Sequence, residues 1–180
     1  MPDTTFAELS SARLVLRRLR PDDVAAICAY RALPEVARYQ SWDTYTPHDA
    51  EQLVAKMHAL DPDTPGTWFQ LGITLGDELI GDCGLHFLDA EQVELGITLS
   101  PAHQGRGYAA ESVARVLKYL FADRGKHRVT ATTDAANAAA ASLFARLGFR
   151  KEAHFVQNVW FKGAWGDEFA FALLRDKWAD

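Results

Sequence analysis

Three strand-like segments follow one another in the middle of the chain, and their very short joins constrain the fold more than any other feature. They are TWFQLGITL (residues 67–75), ELIGDCGLHFL (78–88) and QVELGITLS (92–100). The joins hold two and three residues, too few for the crossover that parallel neighbours need. The segments therefore predict an antiparallel meander of three strands.

Segments before the meander predict one strand and several helices. RLVLRRL (residues 13–19) alternates like a half-buried strand, and Pro with acidic residues opens helices at about 21–31 and 46–60. The aromatic-rich stretch LPEVARYQSWDTYTP predicts a short helix followed by a loop.

Segments after the meander complete an α+β pattern. Residues 108–124 carry apolar side chains at helical spacing, 127–134 predict a strand, and 137–147 an alanine-rich helix. Two long strands follow around residues 163–166. We expect one domain over residues 1–180, with a mixed, mostly antiparallel sheet of about seven strands and helices on both faces.

Composition narrows the class of protein. A net charge of −5 argues against a nucleic-acid partner, because phosphate binding needs an excess of Lys and Arg. No apolar run of about 18 residues and no leader pattern occur, so no membrane partner is expected. Cys28 and Cys83 lack metal-ligand spacing, which predicts no metal site. Two cysteines allow one disulfide bridge, but we expect reduced thiols in a cytoplasmic protein.

The segment SPAHQGRGYAAESV (residues 100–113) sets two glycines around an arginine, directly before a helix. A helix start exposes unpaired N–H groups that attract anions, and glycine lets a phosphate approach them closely. Three interpretations are open from these residues: glycines used for geometry only, a dinucleotide fingerprint, or a coenzyme A pyrophosphate loop. The fingerprint fits poorly, because Pro101 and three more residues separate the strand from Gly105.

The order of motifs resembles that of the GNAT acetyltransferases. Gln104-x-x-Gly107-x-Ala109 matches the family signature R/Q-x-x-G-x-G/A. RLVLRRLRPDD resembles the family's opening strand and helix start, ELIGDCGL its third strand, and NAAAASLFARLGF the motif after its fifth strand. NVWFKGAWGDEFAFALLRDKW is similar to the C-terminal end of the ribosomal-protein N-acetylase subgroup. The likeness covers nearly the whole chain.

The resemblance implies a GNAT fold in which the family's fourth and fifth strands splay apart to hold acetyl-CoA. Backbone at the end of the fourth strand would pair with the pantetheine arm, and the glycine turn would bind the pyrophosphate. Asn137 matches a family asparagine near the pantetheine, although its residue type alone equally predicts a helix cap. The implied cofactor-binding residues are Ile97, Thr98, Leu99, Gln104, Gly105, Arg106, Gly107, Tyr108, Ala109 and Asn137.

The implied reaction is acetyl transfer to a primary amine, which must lose a proton before it attacks. Glu94 is the first candidate base, because it points away from the apolar residues that alternate with it. Asp82 and His86 share one face of the neighbouring strand and are the other catalytic candidates. In many family members a tyrosine at the position of Phe144 acts as the general acid, and the subgroup often has a serine at the position of Ala140. Neither residue is present here, so the general acid is unassigned.

Aromatic residues of the early and C-terminal segments are candidates for the acceptor pocket, namely Tyr39, Trp42 and Trp160. The acceptor would be a protein N-terminus or a small-molecule amine, and the subgroup resemblance adds a possible homodimer. Two alternatives stay open: a catalytically silent acyl-CoA-binding module, and a small-molecule resistance acetyltransferase of the aminoglycoside or polyamine type.

Overall fold

The computed structural model describes residues 1–179 and joins eight strands into one sheet. The strands are β1 (Glu8–Ser10), β2 (Val15–Arg18), β3 (Thr67–Leu75), β4 (Glu78–Phe87), β5 (Gln92–Leu99), β6 (Arg128–Asp134), β7 (Arg150–Phe161) and β8 (Ala164–Leu174). The helices are α1 (Val24–Arg31), α2 (Pro34–Ala37), α3 (Pro47–His58), α4 (Tyr108–Lys118) and α5 (Ala138–Arg146).

The sheet has the order β1-β2-β3-β4-β5-β6-β8-β7 and is antiparallel except between β5 and β6. The meander is confirmed, with Leu71 opposite Cys83 and Cys83 opposite Ile97. Gly76 sits in the β3–β4 turn at φ 59°, a left-handed conformation that glycine adopts without a steric cost.

The count of about seven strands is corrected to eight by β1. This strand has only three residues and pairs with β2 through Leu9 opposite Leu16. Three residues hold too little alternation to predict a strand, whereas the tertiary pairing with β2 defines it.

The parallel pairing of β5 with β6 ends after three residue pairs, the last of which joins Glu94 to Thr130. Beyond it, β6 continues to pair only with β8, and residues 95–99 of β5 pair only with β4. The splay expected between these strands is therefore present. It leaves a row of β5 backbone groups facing an open gap.

Helices cover both faces of the sheet. On one face α4 packs its apolar stripe inward, with Val113, Val116 and Leu117 buried, and α5 adds Phe144 against Phe171 of β8. On the other face Tyr30 of α1 reaches β4. The α4 stripe follows the predicted spacing, although the helix ends in one wider π-type turn over Tyr119–Asp123. None of the helices in residues 1–179 is long and apolar enough to cross a membrane.

Candidate active site

The glycine turn joins β5 to α4 and presents its backbone to solvent. Gly105 and Gly107 have φ of 73° and 82°, and a Cβ on Gly105 would meet no atom within 4 Å. The first intrahelical bond of α4 runs from the Glu111 N–H to the Gly107 carbonyl at 3.1 Å. Hence the N–H groups of residues 108–110 have no partner in the helix, and they suit an anion.

Arg13 fixes this turn from the first loop of the chain. Its guanidinium lies 4.5 Å from the centroid of the Tyr108 ring, and Nη1 donates to the Arg106 carbonyl at 3.1 Å. Nε donates to Glu111 Oε2 at 2.6 Å, and Ser11 Oγ donates to Oε1 of the same carboxylate at 2.7 Å. These contacts hold the turn in place and add positive charge beside it.

Glu111 is held ionised by these donors. Burial opposes its ionisation, but the hydrogen bonds from Ser11 and from the Arg13 backbone and side chain outweigh burial and lower the pKa of Glu111. The charge of the carboxylate thereby stabilises the first turn of α4, whose dipole favours an anion there.

The open edge of β5 leads from the glycine turn into a cavity of about 470 Å³. Ile97 and Thr98 line this cavity, whereas Leu99 is buried in the core. The Leu99 carbonyl instead accepts a hydrogen bond from Gln104 Nε2 at 3.0 Å, which ties the turn to the strand end. The predicted cofactor-binding segment thus runs without a break in the chain from the cavity lining to the glycine turn.

A buried ion pair forms one wall of the cavity. Arg31 of α1 donates from Nη2 to Asp82 Oδ1 at 2.8 Å and from Nε to Oδ2 at 3.1 Å. Tyr30 and Gln70 donate to the same carboxylate. Burial lowers the pKa of Arg31, but the adjacent Asp82 charge outweighs it and raises that pKa above its usual value. Four hydrogen-bond donors therefore surround the Asp82 carboxylate, which matches its number of lone-pair sites.

The Arg31 guanidinium also orders two aromatic rings. It lies 4.8 Å from the Trp42 ring centroid and 5.2 Å from that of Tyr45, and Trp42 Nε1 donates to the Arg31 carbonyl at 3.0 Å. Trp42 and the nearby Tyr39 line the cavity.

The turn between β7 and β8 closes the cavity from the other side. Lys162 Nζ donates to the carbonyls of Ala37 at 2.7 Å and Trp42 at 2.6 Å, and lies 3.1 Å from Asp43 Oδ1. Gln40 Nε2 donates to Thr98 Oγ1 at 3.2 Å. The aromatic segment is thus fastened both to β5 and to the hairpin turn.

Glu94 and His86 lie together beside the cavity, next to the residues of β4 and β5 that line it. They are directly opposite on β5 and β4, and His86 Nδ1 is 3.6 Å from Glu94 Oε2. The His86 ring stacks on Trp68, which lines the cavity, with centroids 4.7 Å apart. Both side chains are about a quarter exposed, so water can reach the pair.

The α5 wall carries Asn137, Ala140 and Phe144 into the cavity. Asn137 is the helix cap: its Oδ1 accepts from the Ala140 N–H at 3.1 Å, so the capping interpretation is confirmed, while the residue also lines the cavity. Neither Ala140 nor Phe144 has a proton to give.

Trp160 lies on the outer side of the hairpin. It is 61% exposed and packs edge-on against Trp165, whereas its neighbours Val159 and Phe161 line the cavity. Carboxylates that line the cavity near these strands come from Asp134, Asp167 and Glu168. Hydrogen bonds from the Gln157 N–H and from His154 lower the pKa of Asp167, which keeps it ionised. Within residues 1–179 no group of acidic, His or Cys side chains could hold a metal ion.

Sequence reasoning missed Arg13, Arg31 and Lys162. Their hydrogen-bond partners lie from 14 to more than 100 positions away in the sequence, and several of these partners are main-chain carbonyls. Spacing within a short segment therefore cannot indicate their roles. Arg31 ends an ordinary helix, 51 positions from Asp82. Asp82, a carboxylate between apolar residues and glycines of β4, was the available signal, because a buried carboxylate requires a cationic partner.

Comparisons with known proteins agree with this geometry. A family model for the acetyltransferase (GNAT) domain matches residues 13–150. The uncharacterized N-acetyltransferase p20 of Bacillus licheniformis is 29% identical over 174 residues, which cover 95% of this chain and 98% of that protein. The ribosomal protein uS5-alanine N-acetyltransferase of Escherichia coli is 30% identical over 84 residues, 47% of this chain and 43% of that protein.

Solved structures are similar in fold. An acetyltransferase (GNAT family) from Bacillus anthracis has a TM-score of 0.86 at 24% identity, covering 94% of this chain and 99% of that one. Spermidine N-acetyltransferase from Vibrio cholerae, in complex with CoA and spermine, has a TM-score of 0.80 at 23% identity, covering 93% and 98%.

Proposed function

We propose, from the premise that this chain belongs to the GNAT acetyltransferase family, that it transfers the acetyl group of acetyl-CoA directly to a primary amine in the acidic cavity. The observation that carries this proposal is a continuous path. An exposed glycine turn at the start of α4 leads along an unpaired strand edge into a cavity that carries carboxylates and aromatic rings.

The residues of the turn suit the coenzyme. The N–H groups of residues 108–110, together with Arg13 and Arg106, favour a pyrophosphate, and the unoccupied space beside Gly105 admits it. Backbone groups of residues 95–98 that face the gap suit the amide groups of the pantetheine arm. Acetyl-CoA supplies a thioester carbonyl that an amine can attack. A β5 N–H in the gap can donate to negative charge that develops on the carbonyl oxygen.

The cavity favours a cationic acceptor. Its lining includes Asp134, Asp167 and Glu168, while the cation Arg31 is neutralised by Asp82. An ammonium group is attracted to such a wall, and aromatic faces such as Tyr39 and Trp42 add cation–π attraction. The named relatives act on a ribosomal protein alanine and on spermidine. We propose an acceptor from this range, a peptide N-terminus or a small polyamine.

Glu94 and His86 are our candidates for proton removal. Asp82 is saturated with donors, so we assign it to holding Arg31 in place. The pair formed by Glu94 and His86 is accessible to water and adjoins the cavity through Trp68. A proton from the amine can reach the carboxylate through one water, a path that a general base commonly uses.

Calorimetric titration with acetyl-CoA, comparing wild type with Gly107→Glu, tests the cofactor site. A side chain at φ 82° is strained, and a carboxylate repels the pyrophosphate, so we expect at least about 100-fold weaker binding. Gly66→Glu is the matched control: it imposes similar strain at φ 76° in the loop before β3, with no atom within 4 Å of its Cβ. Equal binding by the wild type and Gly107→Glu would refute the assignment.

Transfer is tested with a panel of amines: an alanine-terminated peptide, spermidine and an aminoglycoside. Glu94→Gln should lower kcat by about 100-fold on the accepted amine, the usual contribution of a general base. Unchanged transfer by Glu94→Gln and His86→Ala would remove both residues from the mechanism. Tight acetyl-CoA binding without transfer to any amine would favour the silent binding module.

The setting of the reaction is part of the proposal. Both cysteines are free thiols, Cys28 partly exposed and Cys83 buried, which supports a reducing compartment and hence the cytoplasm. A homodimer stays a prediction, to be checked by light scattering.

A further inference from the structure

Thr133 of β6 is a buried hydroxyl without a partner. The residue is 8% exposed and lines the cavity, and its Oγ1 has no hydrogen-bond partner in the described chain. Thr74 of β3 makes the contrast, because it is also buried, at 4% exposed, but donates from Oγ1 to the Val15 carbonyl at 3.1 Å. A buried hydroxyl that bonds to nothing lowers stability, so the free protein gains nothing from this group.

The position of Thr133 gives the hydroxyl a possible use. It lies three residues beyond Thr130, the last β6 residue that pairs with β5, and therefore borders the gap between the two strands. Alternation along β6 puts it on the face of Ala131, whose neighbour Phe171 packs against Phe144. Thr133 thus lies on the same cavity wall as Ala140 and Phe144, neither of which can donate a proton.

Two other polar side chains lie near this wall, one at the cap of α5 and one on the other face of the sheet. Asn137 Oδ1 is used in capping α5. Thr132 alternates to the opposite face of the sheet from Thr133. The Thr133 hydroxyl is therefore a free donor, next to the gap, on the wall that lacks an acid.

We propose that Thr133 Oγ1 donates a hydrogen bond to the coenzyme A sulfur as it becomes a thiolate; this rests on the proposed function. In the step, the amine nitrogen forms a bond to the acetyl carbon, the carbon–sulfur bond breaks, and the electron pair goes to sulfur. The amine proton passes to the Glu94 carboxylate. Thr133 keeps its own proton, because a hydroxyl is a far weaker acid than a thiol with pKa ~8.5.

The test compares Thr133→Val with Thr74→Val, two isosteric losses of one hydroxyl. In the absence of ligand, Thr133→Val should unfold at the same or a higher urea concentration than the wild type, whereas Thr74→Val should unfold earlier. Ultraviolet absorbance of the thiolate then follows ionisation of bound coenzyme A with pH. The thiol pKa should be higher in Thr133→Val than in the wild type, and unchanged in Thr74→Val.

Steady-state kinetics add the second readout. Thr133→Val should lower kcat about tenfold with an unchanged dissociation constant for acetyl-CoA, and Thr133→Ser, which restores a hydroxyl, should recover most of it. An unchanged thiol pKa and kcat in Thr133→Val would overturn the inference, as would a loss of stability alone. If the valine variant does not fold, Thr133→Ser and Thr133→Ala decide by the same two readouts. Failure of the wild type to bind coenzyme A would instead refute the proposed function.

Discussion

The two ends of the proposed active site are built by different means. At the cofactor end, the glycine turn and the β5 edge offer main-chain N–H and C=O groups, set by two positive φ angles and a strand that ends its pairing early. At the acceptor end, the walls are side chains from distant segments, held by the Arg31–Asp82 pair and by Lys162.

This difference separates what local sequence can specify from what tertiary contacts must supply. A backbone site needs glycine at particular positions and tolerates other changes, whereas a side-chain site depends on each partner. Changes at the acceptor end should therefore alter stability or acceptor affinity, and changes at the cofactor end should alter acetyl-CoA binding. Three variants test this separation, from the largest expected effect to the smallest.

Arg31→Met should have the largest effect. It leaves the Asp82 carboxylate buried without a cation, and breaking such a pair costs about 3–5 kcal/mol of unfolding free energy. Urea unfolding measures the loss, and calorimetry on the folded protein should still find near-native acetyl-CoA affinity. Arg38→Met is the control: this exposed arginine stacks on Tyr39, and its loss should cost less than about 0.5 kcal/mol. A loss under about 1 kcal/mol for Arg31→Met would show that the wall does not depend on the ion pair.

Lys162→Met should have an intermediate effect, confined to the acceptor. It removes two bonds to main-chain carbonyls and so loosens the aromatic segment from the hairpin. We expect the KM for the amine to rise about two- to tenfold, in keeping with the loss of a partly exposed charged contact. Lys151→Met, on the same hairpin but paired with the Phe169 ring, should leave the KM unchanged. An equal rise in both variants would indicate a general charge effect instead.

Glu111→Gln should have the smallest effect, a loss of stability that depends on pH. The pKa of Glu111 is lower in the folded chain than its ordinary value, so its ionised form stabilises the protein above about pH 4.5. That contribution is lost as the pH falls through the lowered pKa. The difference in melting temperature between wild type and variant, about 1–3 °C at pH 6, should shrink towards pH 3.

Glu51→Gln is the control for the size of the effect, because Glu51 is an exposed residue of α3. At pH 6 it should change the melting temperature by less than Glu111→Gln does. A difference for Glu111→Gln that does not change with pH would show that the Ser11 and Arg13 bonds do not stabilise the turn.

The parts of the fold and site that depend on the main chain were predicted well from the sequence. Periodicity located α4 and the meander, because each is long enough to show its repeat, and the glycine turn was found from residue type alone. The short β1 was missed because its identity depends on pairing with β2.

Side-chain placement was harder to predict, and Trp160 shows why. The β7–β8 register is irregular between Phe155 and Val159, and Gln157 adopts φ 47°, so simple alternation cannot be carried along β7. The aromatic composition of the hairpin suggested a pocket wall but not which of its rings face inward.

The gap between β5 and β6 has a consequence beyond catalysis. Two unpaired strand edges face each other inside one sheet. Proteins usually protect such edges when they lie at the border of a sheet, whereas here they lie near its centre. A ligand that hydrogen-bonds there acts as a removable strand, and at 100 times its Kd it adds about 2.7 kcal/mol to the stability of the fold. The lifetime of this protein against unfolding and proteolysis should therefore rise and fall with the supply of its own acetyl donor.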